Sequence, residues 1–314
     1  MINNLFIFAV ALFMVIKGAT LATGYASRLA ESFHLSKYTV GFLIIAVISI
    51  LPETFISINA ALEGVPSFGL GMLFGSNIAD LTLIFALLVF LAGRSLKVES
   101  KILKNQVVYP FILVLPLILG LNGHFSRLEG VALILAGGIF YYLALRKGAD
   151  NSVSLNSDSH KIKNSLLLLF SMAIMLIGGH FVVTSATSLA NSLGVSSVLV
   201  GMLIVGLGTT MPEFFFSLKS VKERNDSLAI GDILGTVLAD ATIVVGILAL
   251  VEPFFFSVKI IYVTGLFMVT ASFVLFYFMR SGRMITKKEA FLMFVFWLLF
   301  VLVEFVISSG RYNF

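Results

Sequence analysis

The chain contains no cysteine, one tryptophan, six prolines and four histidines. Without cysteine there is no disulfide scaffold, no thiol chemistry and no thiolate metal site. The histidines, His34, His124, His160 and His180, do not cluster, which argues against an imidazole-held transition metal. Charge is scarce as well. Asp, Glu, Lys and Arg make up 12% of the 314 residues, about half the share of an ordinary soluble domain. Apolar residues fill the space, at 59%. Such a composition belongs to an integral membrane protein. The net charge of +5 then reports loop topology, and no nucleic-acid partner is implied.

A spanning helix needs about 20 apolar residues. Ten stretches qualify: 4–23, 38–62, 67–92, 104–122, 127–145, 164–190, 197–219, 227–251, 258–279 and 290–308. No basic residue precedes "LFIFAVALFMVI", so the first stretch is expected to be a retained helix and not a secretory signal. The longest polar stretch, "RKGADNSVSLNSDSHKIKN", reads as a solvated linker. The expected organisation is a five-helix repeat over 1–145 (core motif 38–92), a cytoplasmic linker over 146–163 and a second five-helix repeat over 164–314 (core motif 197–252). Seventeen of the 21 Lys and Arg fall in the loops after odd-numbered spans. By the positive-inside rule those loops face the cytoplasm, which makes the chain a multi-pass cell-membrane protein with both termini extracellular.

A shift of 160 residues lays "TVGFLIIAVISILPETFIS" (39–57) over "LVGMLIVGLGTTMPEFFFS" (199–217), and "FGLGMLFGSNIADLTL" (68–83) over "LAIGDILGTVLADATI" (228–243). Chance matches between Leu-rich helices do not reproduce a Pro-Glu and an Ala-Asp pair, 27 residues apart, in both halves. The chain is an internal duplication. Five spans is an odd number, so the second copy crosses the membrane the other way round. Inverted repeats of this kind hold ion sites near the midplane, at the repeat interface.

Glu53 lies about twelve residues before the turn at Gly64–Ser67 and Asp80 about thirteen after it. At ~1.5 Å per residue both sit ~18–20 Å from the turn, near mid-bilayer. Glu213 and Asp240 repeat this placement from the other side. An acid at the centre of a spanning helix costs about 2.5–3.5 kcal/mol, so each must be protonated, hydrogen-bonded or bound to a cation. Helix–helix glue is the bland alternative, but Asn or Gln would serve it without the ionisation problem. Pro52 and Pro212 free the carbonyls around Ile48–Ser49 and Gly208–Thr209 by removing a helical donor. Gly75 and Gly235 permit close helix approach, and Ser49, Ser76, Thr209, Thr210 and Thr236 add hydroxyls. An all-oxygen set suits a hard cation such as Ca²⁺, Na⁺ or Mg²⁺. Lys17 lies within the first span and is the one basic residue near the depth of these acids. His180, which matches Thr20, is expected to pack against a backbone carbonyl, with a proton sensor as the sharper alternative.

"TTMPE" (209–213) and "GSNIAD" (75–80) resemble the two hallmark pieces of the sodium/calcium exchangers, within the calcium/cation antiporter superfamily. The resemblance covers 38–92 and 197–252, about a third of the chain. It implies an all-α membrane fold of ten helices in two inverted five-helix repeats, with broken helices at the midplane. It implies Glu53 and Glu213 as central Ca²⁺ ligands, completed by the carbonyls of Ser49 and Thr209. Ala46, Gly206, Thr210, Ser76 and Thr236 would line flanking sodium positions, and Asp80 and Asp240 would complete the set. The sequence departs from the family pattern in three places. Ile48-Ser49-Ile50 stands where Gly-Thr-Ser is usual, Gly235-Thr236-Val237 where Gly-Ser-Asn is usual, and Asp80 where several exchangers have Asn.

The expected activity is secondary antiport of Ca²⁺ against Na⁺ by alternating access. A proton-coupled antiporter of Ca²⁺ or another divalent ion is the alternative; the Gly-Asn-x-x-Glu pattern of the proton/calcium branch is absent. An intramembrane enzyme would show a Gly-x-Gly-Asp piece or Asp-rich surface loops, and a passive channel has no use for duplicated broken helices. No enzymatic activity and no cofactor are expected. The expected partners are membrane lipid and the transported cations, with the chain working as a monomer.

Overall fold

The computed structural model describes residues 2–30, 42, 46–99, 108–148 and 161–308. Residues 38–41 and 43–45 of the expected second span, 104–107 of the fourth, 149–160 of the expected linker and 309–314 at the C-terminus lie outside the described residues. Among the described residues ten helical rods carry the fold. They are α1 (Ile2–Ala30), α2 in two pieces (Ala46–Ser49 and Leu51–Leu62), α3 (Pro66–Ala92), α4 (Tyr109–Asn122), α5 (Arg127–Gly148), α6 (Lys161–Leu193), α7 (Ser197–Lys222), α8 (Asp226–Val251), α9 (Ile260–Gly282) and α10 (Lys287–Ser308). Among the described residues seven helices, α3 and α5 to α10, are long and apolar enough to cross a membrane. Shorter apolar stretches lie in α1 (Asn3–Gly18) and α4.

Burial sorts these rods into a centre and a rim. In their most apolar stretches α3 and α8 are 89% and 83% buried, against 28% for α5 and 22% for α10. A helix that is apolar all round and buried is a core helix; one that is apolar and exposed faces lipid. The acid-bearing helices are therefore the innermost ones, and α5 and α10 form part of the outer wall.

The 160-residue duplication is written into the architecture. Two-residue strands follow or join helices in each half: β1 (Leu96–Lys97), β2 (His124–Phe125), β3 (Phe254–Phe255) and β4 (Met284–Ile285). β1 pairs antiparallel with β4 and β2 with β3. The segment after the third helix of one half thus clasps the turn between the fourth and fifth helices of the other half, and the reverse clasp exists too. Helices α5 and α10 open with the same capping box. Ser126 and Glu129 exchange hydrogen bonds (Ser126 N to Glu129 Oε2, 2.7 Å), as do Thr286 and Glu289 (2.7 Å). Where α1 meets α6 the two halves mirror each other. A methyl on Gly18 would lie 2.7 Å from Met175 Cγ, and one on Gly178 would lie 2.9 Å from Val15 Cγ2. Small residues at such crossings are what let membrane helices approach.

Lys17 and His180 both occupy exposed positions. Lys17 is exposed, with Nζ 5.7 Å from the Phe13 ring centre, so its charge faces outward. His180 is not packed against a carbonyl. Its Nδ1 stands 3.0 Å from Glu63 Oε1, with side chains 47% and 37% exposed. The turn after α2 offers the imidazole a carboxylate within reach.

Positive φ follows the repeat as well. Gly64 (φ 73°) has Arg224 (φ 64°) as its mate, and Gly123 (φ 73°) has Arg283 (φ 55°). Glycine carries no Cβ penalty in this region, whereas another L-residue does. Replacing Arg283 or Arg224 by Gly should raise stability by about 0.5–1 kcal/mol, read as a higher melting temperature of the detergent-purified protein. Gly123→Ala should lower it, because a methyl there also meets Val258 Cγ1 at 2.9 Å.

Candidate cation site

Helices α2 and α7 are each interrupted in mid-course. Pro52 and Pro212 lack an amide hydrogen, so the carbonyls of Ile48 and Gly208 lose their helical donors. The backbone turns at Ile50 (φ −72°, ψ −4°) and Thr210 (φ −75°, ψ −5°), and the helix restarts with Glu53 or Glu213 in its first turn. The break sets freed carbonyl oxygens beside a carboxylate, twice. In α3 and α8 the acids open π-turns, Asp80–Ile84 and Asp240–Val244. A π-turn inserts an extra residue into the helix and is common at functional sites.

The structure brings the four predicted acids into one sealed layer. Glu53, Asp80, Glu213 and Asp240 are each at most 1% exposed. Their charges bear on one another: Glu53 and Asp80 on Glu213, and Glu53 and Asp80 on Asp240. The Glu53 carboxylate also reaches the Thr209 side chain of the opposite half. Seven of their eight carboxylate oxygens have no hydrogen-bond partner: Glu53 Oε2 and both oxygens of Asp80, Glu213 and Asp240. Asn77 Oδ1 and Thr236 Oγ1 are likewise buried without partners. Buried polar atoms in proteins are satisfied almost without exception, so this concentration of oxygens marks a place built for a positive guest. Among the described residues no three acidic or histidine side chains close into a preformed metal cage. One or two carboxylates completed by hydroxyl and carbonyl oxygens need no such triad.

The predicted hydroxyls divide. Ser76, Thr209 and Thr210 donate to their own helices, at Leu73, Gly206 and Leu207 carbonyls, each at 3.0 Å. Such back-bonding engages the hydrogen and leaves lone pairs available. Ser49 reaches across to the other half, donating to Asp232 Oδ1 at 3.3 Å. Ala46 and Gly206 are buried and line the approach to the breaks.

Asp232 is a residue the sequence pattern passed over. It is a fifth acid, fully buried, whose charge bears on Asp80 and Glu213. Its counterpart in the first half is Met72, so matching the halves filters it out. Its spacing of eight residues from Asp240, about two helical turns, is the signal that could have found it. Glu304 escaped in the same way, with Ala144 as its mate; it is bonded to the Thr264 hydroxyl. Tyr109 and Tyr141 also escaped notice. Their hydroxyls donate to the carbonyls of Leu234 (2.7 Å) and Gly235 (2.6 Å), holding α8 from outside the repeat that contains it.

At one face, Arg94 grips Asp226 through two bonds of 2.6 and 2.7 Å and also donates to the Val221 carbonyl. That hydrogen bonding raises the Arg94 pKa further above its ordinary value. The repeat mates, Phe254 and Pro66, carry no charge and instead line a cavity of about 400 Å³ with Ser67, Ser197 and Glu252.

The model of the family "Sodium/calcium exchanger protein" matches residues 3–146 and again 163–306. The chain belongs to the sodium/calcium exchanger family. Within this family of cation exchangers it is 24% identical to the sodium/calcium exchanger MaX1 of Methanosarcina acetivorans, over 97% of this chain and 99% of that one. A solved structure of the sodium-calcium exchanger NCX_Mj superposes with a TM-score of 0.72 at 22% identity, covering 99% of both chains. A crystal structure of the H⁺/Ca²⁺ exchanger CAX superposes with a TM-score of 0.82 at 16% identity, over 98% of this chain and 85% of that one. The membrane fold of this exchanger is thus the NCX_Mj-like, two-repeat one.

In this exchanger the two glycines of the site are fixed by contact between halves. A methyl on Gly235 would lie 2.5 Å from Ala46 Cβ and 3.0 Å from the Phe42 carbonyl carbon, and one on Gly75 2.9 Å from the Met202 carbonyl carbon. Backbone is the obstacle, so it cannot swing aside. Gly75→Ala and Gly235→Ala should each destabilise by about 1–3 kcal/mol, seen as a lower melting temperature of the purified protein.

Proposed function

We propose that this chain is a secondary active antiporter that exchanges Ca²⁺ for Na⁺ across the cell membrane by alternating access. The observation that carries the reading is the set of seven unpartnered carboxylate oxygens inside a layer closed to water. Like charges at such depth need cations. A site too negative to stand empty can release one ion only as another takes its place, which is the logic of exchange and not of one-way flow. The name of MaX1 supports Na⁺ as the counter-ion.

In this reading Glu53 and Glu213 hold Ca²⁺ from opposite halves, with the carbonyls at Ser49 and Thr209. Asp80, Asp240, Ala46, Gly206, Ser76, Thr210 and Thr236 serve the flanking Na⁺ positions. The odd-numbered loops, rich in Lys and Arg, face the cytoplasm, both termini lie outside, and the chain acts as a monomer in lipid. Proton coupling is the second reading, favoured by Asp80, which stands where several exchangers have Asn, and by Asp232, an ionisable group with no mate in the first half.

Uptake of radiolabelled Ca²⁺ into proteoliposomes, driven by a Na⁺ gradient or by a H⁺ gradient, separates the two; uptake driven by the H⁺ gradient alone would reject Na⁺ coupling. Removing one charge from a buried set costs about 3–5 kcal/mol. Glu53→Gln and Glu213→Gln should therefore each cut exchange about 100-fold or more while the protein still inserts. Wild-type flux in either variant sinks the central assignment.

A further inference from the structure

The carboxylate of Asp232 is a bridge. Oδ1 accepts the Ser49 hydroxyl at 3.3 Å and Oδ2 accepts the Ser217 hydroxyl at 3.2 Å. Asp232 belongs to α8, Ser49 to the stretch just before the break in α2, and Ser217 to the stretch after the break in α7. One buried side chain therefore ties together both interrupted helices, which come from different halves.

The repeat supplies an internal control. At the mate of Asp232 stands Met72, which is fully buried and offers no acceptor of comparable strength. Ser57, the mate of Ser217, has a buried hydroxyl oxygen without a partner. Thr209, the mate of Ser49, turns its hydroxyl to the Gly206 carbonyl of its own helix. The arrangement around Asp232 is thus one-sided, added to a frame that is otherwise duplicated.

We propose that Asp232 is a positioning residue for cation binding: it draws the hydrogen of the Ser49 hydroxyl away from the midplane layer, leaving the Ser49 oxygen lone pairs for the transported cation. The inference rests on the proposed exchange function and adds a residue to it. A hydroxyl can ligate a cation only with its lone pairs, so its hydrogen must be engaged elsewhere. Outer partners that orient ligands in this way typically carry about 10–100-fold in metal affinity. Ser49 ends the piece of α2 before the break at Ile50, and Glu53 lies in the first turn after it, so both flank the same interruption. The Asp232 carboxyl engages the Ser49 hydroxyl across the interface between the halves, whereas Thr209 donates to a carbonyl of its own helix.

The test uses full-length protein in proteoliposomes, with initial rates of radiolabelled Ca²⁺ exchange measured against Ca²⁺ concentration. A carboxylate accepts two hydroxyl hydrogens on two oxygens, whereas an amide has one acceptor oxygen. Asp232→Asn should therefore raise KM for Ca²⁺ about 10-fold and leave kcat within about twofold. Ser49→Ala should raise KM by a similar factor, and the double variant should be no worse than Ser49→Ala alone. Ser57→Ala should leave KM unchanged. A wild-type KM in folded Asp232→Asn overturns the inference, as does a double variant whose losses multiply, since Asp232 would then act without Ser49. Should Asp232→Asn not fold, Ser217→Ala decides: it keeps the carboxylate but frees Oδ2, and a rise in KM of about threefold supports the role while no change overturns it. If the wild type exchanges Ca²⁺ under neither gradient, the functional reading fails and the inference with it. Exchange by the wild type with an unaffected Asp232→Asn defeats the inference alone.

Discussion

A carboxylate in hydrocarbon is tolerable only beside a counter-charge, a proton or good donors, and the central layer of this protein holds four buried acids with few donors among them, with a fifth, Asp232, buried nearby. The organisation around that layer follows from the constraint. The acids sit buried on α2, α3, α7 and α8, so their own charge is kept from lipid. The rim helices α5 and α10 expose apolar surface and shield them. Even the glycines obey it: Gly75 and Gly235 bring backbone of one half against the interrupted helix of the other, which shrinks the layer until oxygens from both repeats can share one guest.

Duplication explains why the layer exists at the midplane. One five-helix unit presents a Glu beside a proline break and an Asp at a π-turn, all on one side of an interface. A second unit, entering from the opposite face, supplies the same pair across from it. The β1–β4 and β2–β3 clasps, the paired capping boxes and the Gly18–Gly178 crossing show that the frame outside the layer is also doubled. Each copy completes the other, so neither has a finished site alone.

What the sequence made legible was whatever obeys the repeat or the span length. The Pro-Glu and Ala-Asp pairs stand out because both halves carry them, and the seven long apolar helices among the described residues because hydrocarbon thickness imposes a length. The π-turns were not legible, since a shift from i−4 to i−5 bonding leaves no compositional trace. Asp232 was hidden by its unmatched mate Met72, and Tyr109 and Tyr141 by mates Val269 and Val301. Their roles are tertiary: each reaches an atom 94 to 183 residues away. His180 was misplaced for a related reason. Nothing in its own helix indicates that Glu63, on a turn more than a hundred residues earlier, stands within 3.0 Å.

These unmatched residues share a target. Tyr109 and Tyr141 hold carbonyls of α8, Asp232 projects from α8 to two serines, and Arg94 clamps Asp226 at its first turn. At the corresponding places around α3 stand Val269, Val301, Met72 and Phe254. Hydrogen bonds are directional and lose strength steeply with misalignment, whereas apolar contact is nearly indifferent to direction. The acid-bearing helix of the second half is therefore fixed in register by four polar anchors, whereas at the matching places its twin has apolar side chains. A symmetric frame has been given an asymmetric centre. The two halves of the layer consequently rest on supports of unequal kind, directional hydrogen bonds on one side and a larger share of apolar contact on the other.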